Sequence, residues 1–423
     1  MTDFKVDRKT FLTTAAIASA GAAAGFPTIL RSTASAKDVI KIGLDYEYTG
    51  VYAAYAQSET RGAMMAMDAW NARGGVMGGT RVTTVSEDND NNPGIAVEKA
   101  RKLVNVDKCA ALMGSINSSV SLAVSGAANA MNILYIDSGG HADAVTGADC
   151  KYSTFRTCHS TWMETHATGF SLGKKFGKKW YLITPDYAFG HALDTGYRDV
   201  AKKIGATIVG DDLTPLGTTD FSPYLTKVLG AKPDLLLVLV QGDDFVNCLK
   251  QAHEFGLVGK IPIGGPQVEL EAVWALPEAA RVGFWGVEWY YKGASVLGTN
   301  NKLATNFVNE YRKKYHTPPT ARSAFGYITM DRLLWGINEA RSTNAAKIAR
   351  ALAGAKFRTI FEGTTYYRAV DHQLMWPMWL GGIRAKGTPQ DKYDVFDIVD
   401  RQEPDAIEQS VAEKEKVCKM VWP

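Results

Sequence analysis

The chain has 423 residues, too many for one compact core, so two lobes are expected. With 46% hydrophobic and 22% charged residues the composition is that of a globular chain, not a disordered one. The net charge is only +3, and no basic run is interleaved with aromatics, which argues against a nucleic-acid partner.

The first 36 residues are a different material. Lys5, Arg8 and Lys9 form a basic start, Phe11–Leu30 is apolar but rich in Ala and Gly, and Ala34-Ser35-Ala36 fits an A-x-A cleavage site. An export signal removed near Ala36 is therefore expected. Arg8-Lys9-Thr10-Phe11-Leu12 resembles a twin-arginine signal with lysine in the second arginine position, which leaves the export route open. The small residues are not followed by a Cys, which argues against a lipoprotein. Removing this segment leaves 43 basic and 42 acidic side chains.

From Lys37 strands alternate with helices. Val39–Leu44, Arg81–Ser86, Ala110–Met113, Ile133–Ile136, Trp180–Thr184, Thr207–Asp212, Leu235–Val240 and Ile261–Gly264 read as short strands. Runs such as DLLLVLV suit strands buried on both faces, as in parallel sheets. Helices are expected over Thr60–Ala72, Pro93–Asn105, Thr161–Phe176, His191–Ile204 and Asp243–Phe255, and helical pattern dominates from Asn301 to Ala355. Thr60–Ala72 places Met64, Met67 and Ala72 near one face. The prediction is an α/β fold of two doubly wound, Rossmann-like units.

Five cysteines leave at least one unpaired or joined to another chain. Cys109 and Cys248 sit in apolar surroundings and read as buried thiols. Cys150, Cys158 and Cys418 are the disulfide candidates, as a short Cys150–Cys158 loop or a Cys150–Cys418 link that pins the tail.

In DAWNARGGVMGGTRVTTVSED (Asp68 to Asp88), Gly74–Gly75 stop a helix and Gly78–Gly79 turn into a β-branched strand. This helix, paired-glycine turn and strand resembles the type I extracytoplasmic solute-binding proteins of ABC importers, the leucine/isoleucine/valine-binding protein family. The resemblance covers residues 38–423. It implies a periplasmic, monomeric, non-enzymatic protein without cofactor, which closes a three-segment hinge on a small ligand and delivers it to a membrane permease. Breaks in the rhythm near Tyr152–Thr157, Gly286–Tyr291 and Glu362–Tyr367 match the family's three crossings. Lobe 1 is accordingly expected at 37–156 plus 290–362, and lobe 2 at 157–289 plus 363–423.

Ligands of such sheets bind on the loops after the strands. In Gly114-Ser115-Ile116-Asn117-Ser118-Ser119, the resemblance puts Ser118 and Ser119 at ligand-binding places; free N–H groups at a helix start suit a carboxylate, and plain capping by serine is the competing reading. Gly139 and His141 follow the strand at Ile133, with His141 in the family's threonine position. Tyr55 falls where an aromatic lines the cleft, and Phe189 or Tyr187 would cover it from the other lobe; Phe325 or Tyr327 are further aromatic candidates. Gln267 appears where amino-acid-binding relatives have the carboxylate that receives the ligand ammonium. Glu269 or Glu271 could restore that acid by a shift of register, and Gln241 with Asp243 is a second polar pair. These substitutions favour an amine-free aromatic or short organic acid as ligand, with a branched-chain-type amino acid next. Trp285, Trp289, Tyr290 and Tyr291, and Asp371-His372-Gln373, read chiefly as packing.

Two other functions share parts of this pattern. A receptor feeding a sensor kinase would share every feature above. A secreted serine hydrolase rests on Gly169-Phe170-Ser171-Leu172-Gly173, which lies inside a predicted helix and not on the strand-to-helix elbow the chemistry needs. Asp88–Asn92 has Pro93 where a calcium loop needs Gly, and His159 and His166 lack partners at zinc spacing, so no metal is expected.

Overall fold

The computed structural model describes residues 39–292 and 301–423; the expected export signal lies outside them. The first unit runs β1 (Ile40–Tyr46), α1 (Ala53–Ala72), β2 (Val82–Asp88), α2 (Pro93–Asn105), β3 (Ala111–Gly114), α3 (Ser118–Ala130), β4 (Leu134–Asp137) and β5 (Thr154–Arg156). Its strands lie parallel in the order β2-β1-β3-β4-β5.

The second unit runs α4 (Thr161–Phe176), β6 (Lys179–Pro185), α5 (Ala188–Ile204), β7 (Thr207–Thr214), α6 (Ser222–Ala231), β8 (Leu235–Val238), α7 (Gly242–Glu254), β9 (Ile263–Gln267), α8 (Leu270–Ala275) and β10 (Phe284–Val287). Three helices follow: α9 (Lys302–Tyr315), α10 (Ala321–Ala340) and α11 (Ala345–Leu352). A small sheet of β11 (Lys356–Phe357), β12 (Thr365–Tyr367) and β13 (Leu374–Met375) leads to β14 (Met378–Ile383), β15 (Phe396–Gln402), α12 (Pro404–Ile407) and α13 (Val411–Val417). The large sheet has the order β15-β14-β10-β9-β8-β6-β7, parallel from β7 to β10 and antiparallel at β14 and β15. The chain leaves the five-stranded sheet after β5, leaves the seven-stranded sheet after β10 and rejoins it at β14; the two parallel-stranded sheets are the doubly wound pair that the strand rhythm predicts.

Two boundaries move in ways that matter. α1 begins at Ala53, because Ala53, Ala54 and Ala56 are strong helix formers, so Tyr55 sits on a helical first turn and not in a loop. β9 extends to Gln267, which makes Gln267 a strand residue. The buried face of α1 is Tyr55, Ala56, Ser58, Glu59, Gly62, Ala63, Ala66 and Met67; Ala72, expected on that face, is exposed.

That face meets α10 backbone to backbone. A Cβ on Gly62 would lie 1.8 Å from the Ser323 carbonyl oxygen, and one on Gly326 would lie 1.8 Å from the Glu59 carbonyl oxygen. Only glycine permits this approach, and it brings Glu59 of α1 beside Arg322 of α10. The disulfide joins Cys150 to Cys418; Cys158 is a free buried thiol like Cys109 and Cys248, which removes it from the disulfide candidates. The tail it pins packs the Trp422 ring 5.7 Å from Tyr152.

Candidate functional site

The carboxyl ends of the strands bring a buried charged cluster together from both units. Arg322, 2% exposed, sits between the rings of Tyr55 and Phe325, 5.0 and 5.6 Å from their centroids. Its Nη1 donates to Glu59 Oε1 at 3.2 Å and to the Gly139 carbonyl at 3.4 Å. Nη2 donates to His141 Nε2 at 3.2 Å, and Nε lies 2.7 Å from Glu269 Oε1, just after β9. Guanidinium has no lone pair, so His141 must accept at Nε2 and carry its proton on Nδ1. That Nδ1 lies 2.5 Å from Glu164 Oε1 of α4 and 3.7 Å from Glu288 Oε1, just after β10. Glu288 Oε1 also accepts the His159 backbone N–H at 3.0 Å and lies 2.9 Å from His159 Nδ1.

Four carboxyls thus surround one guanidinium out of water, and burial decides their charge. It pushes Glu59 and Glu269 up to about 8 against the pull of Arg322, and raises Glu164 well above the ordinary range. Burial acts the same way on Glu288, but the hydrogen bond from His159 and the charge of Arg322 oppose it and hold that carboxyl below the ordinary range. Burial lowers His141 to about 3, so its imidazole is neutral. Near neutral pH burial therefore favours the protonated forms of Glu59, Glu269 and Glu164 and leaves Glu288 as the ionised carboxyl of the cluster.

His141, Glu269 and Glu288 could offer ligand atoms within 4.8 Å of one another. The site does not fit a metal. His141 Nε2 already accepts from Arg322, its other nitrogen is protonated, and the guanidinium would repel the ion.

Aromatic rings close the cluster. Phe189 on α5 packs edge-on to His141 at 5.9 Å, and Phe325 does so at 6.4 Å. Tyr187 joins Phe189 at 5.9 Å, and its hydroxyl meets that of Tyr52 at 2.6 Å across the two units. Tyr55 Oη accepts the Gly242 N–H at 3.0 Å. Tyr327 packs on Phe307 at 4.8 Å, away from the cluster.

The remaining sequence candidates divide. Gln241 and Gln267 are buried at the ends of the adjacent strands β8 and β9, and Gln241 Nε2 donates to the Gln267 carbonyl at 3.0 Å. Asp243 is exposed on α7; the buried acid there is Asp244, which accepts the Gly217 N–H at 2.9 Å. Glu271 is held by Thr320 Oγ1 at 2.6 Å. Ser118 Oγ accepts the Ala142 N–H at 3.0 Å, and Ser119 Oγ accepts the Ala188 N–H at 3.4 Å.

The start of α3 corrects a further expectation. Asn117, not serine, caps the helix, accepting the Ser119 N–H at 2.7 Å. The N–H groups expected to be free for a ligand carboxylate are taken by the protein: Glu47 accepts from Ile116 N at 2.9 Å and Asn117 N at 3.0 Å. Ser171 lies inside α4, off any strand-to-helix elbow. Asn92 of the calcium-like loop caps α2, accepting from Gly94 N at 2.8 Å. Asp371 pairs with Arg368, and His372 stacks on Phe155 at 3.8 Å, so this motif is packing at a crossing.

Glu59, Glu164, Glu288 and Arg322 were missed because they lie on helices or beyond the strand that starts the third helical stretch. One signal was present, at Glu288, a lone charge in the apolar run FWGVEWYY, and a charge so placed is paired or functional. A separate groove of about 850 Å³, lined by Met65, Phe307, Tyr327 and Arg358 among others, holds none of the cluster residues.

Residues 39–388 match the family model described as periplasmic binding protein. A Leu/Ile/Val-binding protein homolog 7 from Brucella suis biovar 1 (strain 1330) is 27% identical over 339 residues, covering 77% of this chain and 83% of the relative. The crystal structure of a periplasmic binding protein from Burkholderia mallei has a TM-score of 0.81 at 26% identity, covering 89% of this chain and 98% of that one. An ABC-transporter solute-binding protein from R. palustris, solved in complex with benzoate, has a TM-score of 0.77 at 23% identity, covering 87% and 97%. With the family model spanning most of its length, the chain belongs to the periplasmic binding protein family, whose members bind solutes.

Proposed function

We propose that this chain is the substrate-binding component of an ABC importer, which captures one small organic molecule between its two lobes and delivers it to a membrane permease. The observation that carries the reading is the buried cluster in which Arg322 and His141 of one unit meet Glu269 and Glu164 of the other. A site assembled from both lobes couples ligand binding to closure, because only the closed state makes the full contact set. Lobe 1 is assigned to 37–156 plus 290–362 and lobe 2 to 157–289 plus 363–423, with Tyr55, Gly139, His141, Tyr187, Phe189, Gln241 and Gln267 facing the ligand and Ser118 and Ser119 supporting the loop. The working form is a periplasmic monomer.

The benzoate of the R. palustris protein supports an aromatic acid as ligand, and the Brucella name supports a branched-chain amino acid. One premise of the amine-free acid expectation changes in the fold, because an acid, Glu269, stands in the cleft beside Gln267; separately, N–H groups before α3 that would suit a carboxylate are occupied by Glu47. The test is a thermal-shift screen of the full chain against amino acids, carboxylic acids and organic amines. A ligand well above its dissociation constant adds about 3 kcal/mol, so one class should raise the melting temperature saturably. No shift from any class at millimolar concentration contradicts the reading.

A further inference from the structure

We infer that Glu47 is the protein's own substitute for a ligand carboxylate, and that the cleft selects small cationic nitrogen compounds carrying no carboxylate. The inference rests on the solute-binding reading above and adds the chemical class of the ligand.

The donors of the cleft are spent internally. Glu47 is fully buried and takes Ile116 N–H, Asn117 N–H and the Ser115 hydroxyl. The Asn117 side chain takes the next two backbone donors, Ser119 N–H at 2.7 Å and Val120 N–H at 3.4 Å. An incoming carboxylate would meet the Glu47 carboxyl where it needs N–H groups. The other natural anchor, Arg322, is engaged by Glu59, Gly139, His141 and Glu269.

The acceptors are not spent. Among the described residues of the cleft, Glu164 Oε2, Glu269 Oε2, Glu288 Oε2, Gln241 Oε1 and Gln267 Oε1 are buried with neither a hydrogen bond nor an ion-pair contact; of the three donors without a hydrogen bond, Arg322 Nε and His141 Nδ1 face Glu269 and Glu164 at 2.7 and 2.5 Å, and only Gln267 Nε2 has no such contact. Buried polar atoms need partners, so a ligand that brings N–H groups satisfies these acceptors, and a cation suits carboxyls better than a neutral amide. Burial disfavours the charge of Glu269 and Glu164, so a cation placed beside them takes the place of their protons.

The test pairs cations with anions of matching shape on the full chain: guanidinium and benzamidine against acetate and benzoate, by calorimetry in two buffers of different ionisation enthalpy. The expected result is saturable binding of at least one cation with proton release, and no binding of the anions. Preferential binding of an anion overturns the ligand class while leaving the solute-binding reading intact. Failure of every cation also overturns the class, and the broader screen then judges the solute-binding reading on its own. The role of Glu47 is read from Glu47→Ala, which should bind benzoate at least about tenfold more tightly than the wild type, as vacated N–H groups accept an anion. A folded Glu47→Ala with no gain for anions overturns that role. Should Glu47→Ala not fold, Glu47→Gln, which keeps the shape but removes the charge, must still weaken the discrimination against benzoate.

Discussion

Gly326→Ala tests the packing that delivers the site. In an ordinary helix interior this change is favourable by about 1 kcal/mol, through helix propensity and lost freedom in the unfolded chain. Here the new Cβ would lie 1.8 Å from the Glu59 carbonyl oxygen, 2.5 Å from its carbon and 2.8 Å from its Cα. All three are backbone atoms of α1, so no side chain can turn away; the helices must separate by more than an ångström. Overpacking of this kind costs about 3 kcal/mol, which outweighs the propensity gain and leaves a net loss of about 2 kcal/mol. With a urea slope of about 3 kcal/mol per molar, the midpoint of tryptophan-monitored unfolding should fall by more than half a molar. Gly126→Ala is the control, since a Cβ on this α3 glycine meets nothing within 4 Å, and it should leave the midpoint unchanged or raise it. If Gly326→Ala matches Gly126→Ala, the helices do not meet as described and the placement of Glu59 against Arg322 is wrong.

Arg322→Met should destabilise the protein by about 3–5 kcal/mol, because it strands buried carboxyls, and calorimetric melting at pH 8 checks this. An unchanged melting temperature would mean the cluster is not formed. Glu269 carries a folded-state value near 8, above the ordinary 4.5, so its contribution is full below pH 4.5 and is lost as pH rises through 8. Urea midpoints between pH 5 and pH 8 should therefore decline less steeply in Glu269→Gln than in the wild type; parallel slopes would contradict the burial of that carboxyl. Reduction of Cys150–Cys418, which spans 268 residues, should cost about 2–5 kcal/mol, seen as a lower melting temperature in reductant and reproduced by Cys418→Ser. Ser171→Ala should leave ligand affinity within twofold, as a residue inside α4 away from the cluster.

Much of the fold is legible in the residues because one physical pattern repeats. Continuous apolar runs such as Leu235–Val238 mark fully buried parallel strands, and the helices at Pro93–Asn105 and Thr161–Phe176 stand where periodicity puts them. The aromatic part of the site was legible for a related reason: Tyr187, Phe189 and His141 follow strands directly, so the topology rule points at them. The charged part was not. Arg322 and Glu59 meet only through glycine-mediated contact of two helices some 260 positions apart in sequence, and Glu288 depends on His159 across a crossing. Glu47 is not legible in the sequence, because it stands just after the first strand whereas its partners, Ser115 to Asn117, lie on another loop. Cys150 could be paired only once the tail was placed.

The most direct test of the central claim, that one ligand is held by both lobes at the Arg322 cluster, is amide hydrogen exchange with and without the best compound from the screen. The account predicts protection that rises together in the peptides carrying His141 and Arg322 from one lobe and Glu164, Phe189, Glu269 and Glu288 from the other. Protection confined to one lobe, or centred on the groove at Met65 and Phe307, would contradict it.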